Sequence, residues 1–173
     1  MGTFKLNKEK AINTLLYVVK KLEKADKHKM YKILYFADQK HLVNYGRPII
    51  GDTYFKLEYG PVPSFVKNIV DEQIKGLEEI VAVYNKYYIK AIQEIDLDFL
   101  SESDIECLDD AINENKDLSF ADLTAKSHDY AYEKAIWTID YMDIARTLTK
   151  DENVLNYINN QLINDRINLH ESC

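Results

Sequence analysis

Ser127-His128-Asp129 brings together the three residue types of a hydrolase triad. Sequence neighbours cannot line up nucleophile to base to carboxylate, because triads are assembled from distant positions, so the run reads as a polar turn. The four histidines, His28, His41, His128 and His170, are dispersed, and none belongs to an H-x-x-x-H helix pair. Only a site assembled by the fold would hold a metal. Cys107 and Cys173 are too few for a disulfide framework or a cysteine zinc site, and they fit a reducing compartment. Cys107 also follows Glu106 in an acidic stretch, where negative potential raises a thiol's pKa and weakens it as a nucleophile. The five glycines never adopt a G-x-G-x-x-G or Walker spacing, which removes the usual phosphate cradles. The expectation is a protein that is not an enzyme, with no catalytic residue, cofactor or metal.

Lys32, Tyr35 and Asp38 form a different kind of cluster. Spacings of three place them close together on one side of a helix. They either border the core, satisfied by neighbouring elements, or contribute to a patch that contacts a partner together with Arg47 and Tyr59. Thirteen tyrosines point weakly towards interfaces, since Tyr supplies rigid amphipathic contact area, and equally towards half-buried packing.

The elements that must hold these residues can be read from periodicity. Asn7 caps a helix of about 7–24 with Ala11, Leu15, Val18, Val19 and Leu22 at helical spacing. A second helix, about 27–45, carries two adjoining apolar and aromatic stripes and ends at Gly46, with Pro48 just beyond. Residues 54–59 alternate as a strand, and Gly60-Pro61-Val62-Pro63 breaks it, with Gly60 and Pro61 forming a structural turn. A third helix starts at Pro63-Ser64 and runs to Gly76. Residues 80–84 and 87–92 read as a hairpin with a two-residue turn at Asn85-Lys86. Beyond Ser101 the chain is helical, opened by capping boxes at Ser103-x-x-Glu106, Ser119-x-x-Asp122 and Thr149-x-x-Glu152, and its last helix covers about 151–169. The expectation is a mainly α (α+β) architecture. One domain over 1–173 would hold about six helices around the second, with one small three-stranded antiparallel element.

Composition agrees with that class. The 173 residues are 46% hydrophobic and 29% charged, with no apolar run of the ~20 residues a membrane span requires. No secretory signal is visible at the start, so a cytoplasmic location is expected. The net charge of −7 argues against a duplex-binding protein. It also hides an asymmetry: residues 1–50 carry eleven basic and four acidic side chains, whereas 94–117 hold ten acids against Lys116 alone. These blocks are either solvated helix faces or two surfaces of opposite sign that meet a charged protein partner.

One stretch is more specific than any of these patterns. Lys32-Ile33-Leu34-Tyr35-Phe36-Ala37-Asp38, His41-Leu42, Tyr45-Gly46-Arg47-Pro48-Ile49, Gly51-Asp52-Thr53-Tyr54 and Tyr59-Gly60-Pro61-Val62-Pro63 together resemble the SocA-like antitoxin family, also called the Panacea domain. The likeness resumes at Leu100-Ser101-Glu102-Ser103-Asp104, Asp117-Leu118-Ser119-Phe120, Leu123 and Ser127-His128-Asp129, and covers most of 7–165. Where the family usually has a tryptophan shortly after the Ser-His element, this chain has Tyr132, and its single tryptophan is Trp137. The resemblance implies an antitoxin of bacteria and their phages that inactivates a co-encoded toxin by direct binding. It also admits a proteolytic adaptor that delivers a toxin to an AAA+ protease. A nucleic-acid-binding regulator is a further alternative, because helix, strand, helix and hairpin loosely match winged-helix proteins, but the charge disfavours it.

Overall fold

A computed structural model describes residues 2–170, by backbone alone for 168–170, so Cys173 lies outside the described residues. Eight α-helices and five short strands are present among them. Helix α1 (Lys8–Lys21) starts at Asn7, whose side chain accepts from Lys10 N at 3.1 Å. Helix α2 (Lys27–Tyr45) starts at Asp26, which accepts from Lys29 N at 2.8 Å, and stops at Gly46. Gly46 has φ +77°, and a Cβ there would run into the Tyr157 ring. Every residue of α2 from Met30 to Gln39 is buried, as are His41 and Leu42. Such a helix must be covered on several sides. Its neighbours include α1, α4 (Glu102–Asn115), α5 (Phe120–Ser127) and α7 (Tyr141–Leu148).

The β structure departs from expectation. Residues 54–59 do not join the 80–92 hairpin. Instead β2 (Tyr54–Leu57) pairs antiparallel with β3 (Gly60–Pro63), in register Tyr54↔Pro63 to Leu57↔Gly60. The expected break is thus itself a strand. Proline forbids a backbone donor but not an extended backbone, and β3 is an edge strand, the place where a sheet tolerates proline. The other side of β2 is occupied by residues 137–139, through Lys56 N to Trp137 O at 2.8 Å and Ile139 N to Tyr54 O at 2.9 Å. The separate hairpin, β4 (Val81–Tyr84) and β5 (Tyr88–Ala91), forms a three-stranded sheet with β1 (Ala25–Asp26) in the order β1-β5-β4. Its closing pair is Tyr84↔Tyr88, so the loop has three residues, 85–87, and not two.

Helix boundaries shift where a cap lies off the expected letter. Helix α3 (Ser64–Val70) ends well before Gly76, because Glu72 already takes φ +55°. Helix α4 is capped by Ser101 with Asp104, and α8 (Glu152–His170) follows Asp151, which accepts from Asn153 N at 2.8 Å. Two helices escaped the periodicity, α6 (Tyr130–Lys134) and α7. Each is opened by an aspartate, Asp129 and Asp140, rather than by a Ser/Thr box.

The two charge blocks turn out to face each other. Lys10, Lys20, Lys21, Lys40 and Arg47 pair with Asp104, Glu94, Asp109, Glu114 and Asp104 respectively, with Lys10–Asp104 and Lys40–Glu114 both at 2.6 Å. Packing α1 and α2 against the acidic segment therefore consumes much of the expected asymmetry internally. Exposed pairs of this kind contribute only ~0–1 kcal/mol each. Asp104 is different, because it is buried. Burial alone would raise its carboxyl, but bonds from His41, Lys10 and Ser101 hold it below the usual carboxylate range.

Candidate functional site

Lys32, Tyr35 and Asp38 are drawn together by α2, and their polar ends point into the protein. Lys32 is 1% exposed, and its Nζ donates to Pro61 O at 2.9 Å. With no carboxylate beside it, burial pushes the ammonium down to about 7. The Tyr35 hydroxyl donates to Asp129 at 3.0 Å. Asp38 accepts from Ile49 N at 2.8 Å, Ile50 N at 3.4 Å and the Tyr54 hydroxyl at 3.0 Å, and burial raises its carboxyl to about 6. The spine thus ties α2 to β3, to the start of α6 and to the loop ahead of β2. All three side chains are buried against neighbouring elements, as in the first of the two readings, and of the three Lys32 also lines a groove. Buried backbone groups of strand and loop need partners, and these residues provide them.

Arg47 and Tyr59 lie at the surface instead. Arg47 reaches Pro48 O at 3.2 Å and Asp104 at 3.5 Å, while Tyr59 tips the β2–β3 hairpin and is 52% exposed. Gly60 follows that turn with φ +100° and sits directly over Lys32.

The Ser-His-Asp run does not converge. Ser127 Oγ donates to Thr124 O, His128 stacks on Tyr132 with ring centroids 4.0 Å apart, and Asp129 caps α6 while accepting from Tyr35 and Gln39. Tyr132, in the place of the family's tryptophan, also donates its hydroxyl to Leu57 O at 2.9 Å. Burial, with Glu106 and Asp110 nearby, pushes the Cys107 thiol up to about 11. Among the described residues no three His, Cys, Asp or Glu side chains are placed to hold a metal ion. No helix among them is long and apolar enough to cross a membrane.

Apart from Lys32, Tyr59 and Phe120, the feature these elements enclose has no local sign in the sequence. A groove of about 600 Å³ lies between the first turns of α2, the tips of both hairpins and the start of α5. Its lining is mostly apolar, with Leu57, Tyr59, Tyr87 and Phe120 exposed along it. Phe120 stacks on His28 at 4.0 Å, and Tyr59 meets Phe120 edge-on at 5.3 Å. His28 Nε2 lies 3.3 Å from Tyr59 O and 3.1 Å from Thr124 Oγ1. Burial, with the Lys32 charge second, pushes that imidazole down to about 4, so it is neutral near pH 7. A carbonyl can only accept, so the proton sits on Nε2, and the buried Nδ1 is left with no hydrogen-bond partner. His28 and Phe120 are ninety-two positions apart and share no motif. The one local sign was Phe120 itself, a large apolar residue directly after the Ser119 cap, where a first helical turn normally meets water.

The groove is concave, aromatic-rimmed and apolar, with polar groups at its floor, which is the general form of a binding pocket. Residues 30–138 match the family described as antitoxin SocA-like, Panacea domain. No curated protein and no solved structure matches the chain.

Proposed function

The chain belongs to the SocA-like Panacea family of antitoxins, and on that premise we propose that it neutralises a co-encoded toxin by binding it directly, with the α2–α5 groove as the docking surface. The observation that carries this reading is the cluster of half-exposed Tyr59 and Phe120 over a preformed concavity. Large aromatics anchor protein interfaces because they bury much area for few rotatable bonds. The alternative of acting by chemistry draws no support from Ser127, His128 and Asp129, which are turned to separate internal partners, or from Cys107, a buried thiol kept protonated.

The reading is tested by co-expressing the chain with the toxin encoded beside it, in cells with and without their AAA+ proteases. Growth rescue in both strains, with a stoichiometric complex on purification, is the expected result. Rescue that vanishes without the proteases would assign the chain to toxin delivery, and rescue with no complex would refute direct binding.

A further inference from the structure

The groove is apolar, and its charged lining is mostly basic. Lys27, Lys29 and Lys32 line it, and the single acid among the lining residues, Asp26, is spent on capping α2 through Lys29 N. Lys27 has a partner in Asp71 at 3.5 Å. The other two amines meet only carbonyls: Lys29 Nζ donates to Lys116 O and Lys32 Nζ to Pro61 O, and burial leaves Lys32 only partly charged near pH 7, so Lys29 carries most of the unpaired charge. The positive end of the α2 dipole lies beside them. On a chain of net charge −7 this is a local reversal of sign, placed within reach of exposed Tyr59 and Phe120.

We propose that the groove takes an acidic protein segment bearing an aromatic or large aliphatic anchor, the anchor seated between Tyr59, Phe120 and Leu57 and a carboxylate turned towards Lys29. This rests on the direct-binding reading and names the chemistry of what the partner inserts. Complementary charge steers the encounter and fixes register, and the anchor supplies the buried area. Single-stranded nucleic acid also combines stacking with negative charge, but it needs a track of cations along a backbone. Two lysines without acidic partners inside an apolar pocket do not make one. A second apolar patch, Ile136 and Trp137 beside Phe55, is more exposed and has its own lysine on carbonyls, Lys56 on Glu133 O and Ala135 O, but that ammonium is also covered by the Tyr132 ring at 4.7 Å, whereas the groove sets two such lysines in a concavity.

The test uses the full chain with two probes, acetyl-Glu-Leu-Phe-Glu-amide and its Gln-Leu-Phe-Gln twin, and a short oligothymidine as the competing ligand class. Amide chemical shifts are expected to move in residues 26–32, 57–62 and 118–123, and the acidic peptide should bind about fivefold to tenfold tighter than its twin, the weight of one charge-assisted contact. Lys29→Ala should erase the difference between the peptides, and Phe120→Ala should weaken both, with unchanged melting in each variant. Equal binding of the two peptides, shifts centred on Trp137, or oligothymidine displacing the acidic peptide would overturn the proposal. The co-encoded toxin separates the two claims. If it binds the wild type and both variants equally, direct binding stands and the groove assignment falls. If it binds none, direct binding falls, and the peptides decide the groove's chemistry alone.

Discussion

Replacing Gly60 with alanine tests how tightly the hairpin tip is locked onto the helix beneath it. The backbone there has φ +100°, where an L side chain is strained, a cost of ~1–3 kcal/mol. A Cβ would also lie 2.8 Å from Lys32 Cε and 3.1 Å from its Nζ, and closer still to Ser127 Oγ. Neither neighbour retreats freely, since the Lys32 ammonium is held on Pro61 O and the Ser127 hydroxyl on Thr124 O. Overpacking of this kind adds ~1–3 kcal/mol, for a sum of roughly 2–6 kcal/mol. In a domain of this size that corresponds to a melting temperature lower by roughly 4–24 °C. Thermal unfolding followed by circular dichroism reads it directly. Adding Ser127→Ala should restore about 1–2 kcal/mol by removing the nearest clash, while leaving the backbone strain in place. A Gly60→Ala melt within ~2 °C of wild type, or a double variant no better than the single, would refute the argument that close approach fixes this glycine.

Other perturbations probe the spine and the groove separately. Asp38→Ala strands two backbone N–H groups and a hydroxyl in the interior, at ~1–3 kcal/mol for each group, and urea unfolding should register a loss of at least about 2 kcal/mol; an unchanged midpoint would mean that the loop before β2 finds other partners. Because the folded Lys32 pKa sits near 7, below its unfolded 10.5, the unfolded chain binds the extra proton between those values, so this group's contribution to stability rises with pH across that window. The advantage of Lys32→Met over wild type should therefore be largest at pH 6 and shrink by pH 9.5, and a difference that stays flat with pH would contradict the account. Asp104 has the opposite linkage: its contribution, present above pH ~3.8, is lost as pH falls further, so Asp104→Asn should flatten acid unfolding below pH ~4, with continued steepness as the contrary result.

Local signals were legible and pairing was not. Helix α2 is bounded as its own sequence indicates, because Gly46, Pro48 and the apolar stripes act within a turn or two of the residues they control. The partner of β2 is a different matter, since antiparallel pairing needs only extended backbone and Pro61 and Pro63 supply it while reading as a break. The capping box at Ser119 held, while the other two missed by two letters: Ser101 with Asp104 closes a box just ahead of Ser103, and Asp151 caps as well as Thr149 would. Charge sums over 1–50 and 94–117 suggested two outward faces, and only the packing of α1 and α2 on that segment shows the blocks neutralising each other. Within the site, helical spacing correctly placed Lys32, Tyr35 and Asp38 together, yet their direction depends on which backbone groups the fold leaves unsatisfied nearby. His28 and Phe120 come from distant segments, and nothing short of the tertiary fold stacks one upon the other.

Hydrogen exchange on the chain bound to its co-encoded toxin bears most directly on the claim that neutralisation is binding at this groove. Protection on complex formation should concentrate in residues 26–32, 57–62 and 118–123, with residues 130–138 exchanging as in the free chain. Protection confined to the Ile136–Trp137 patch or to the 94–117 segment, with the groove exchanging unchanged, would contradict it.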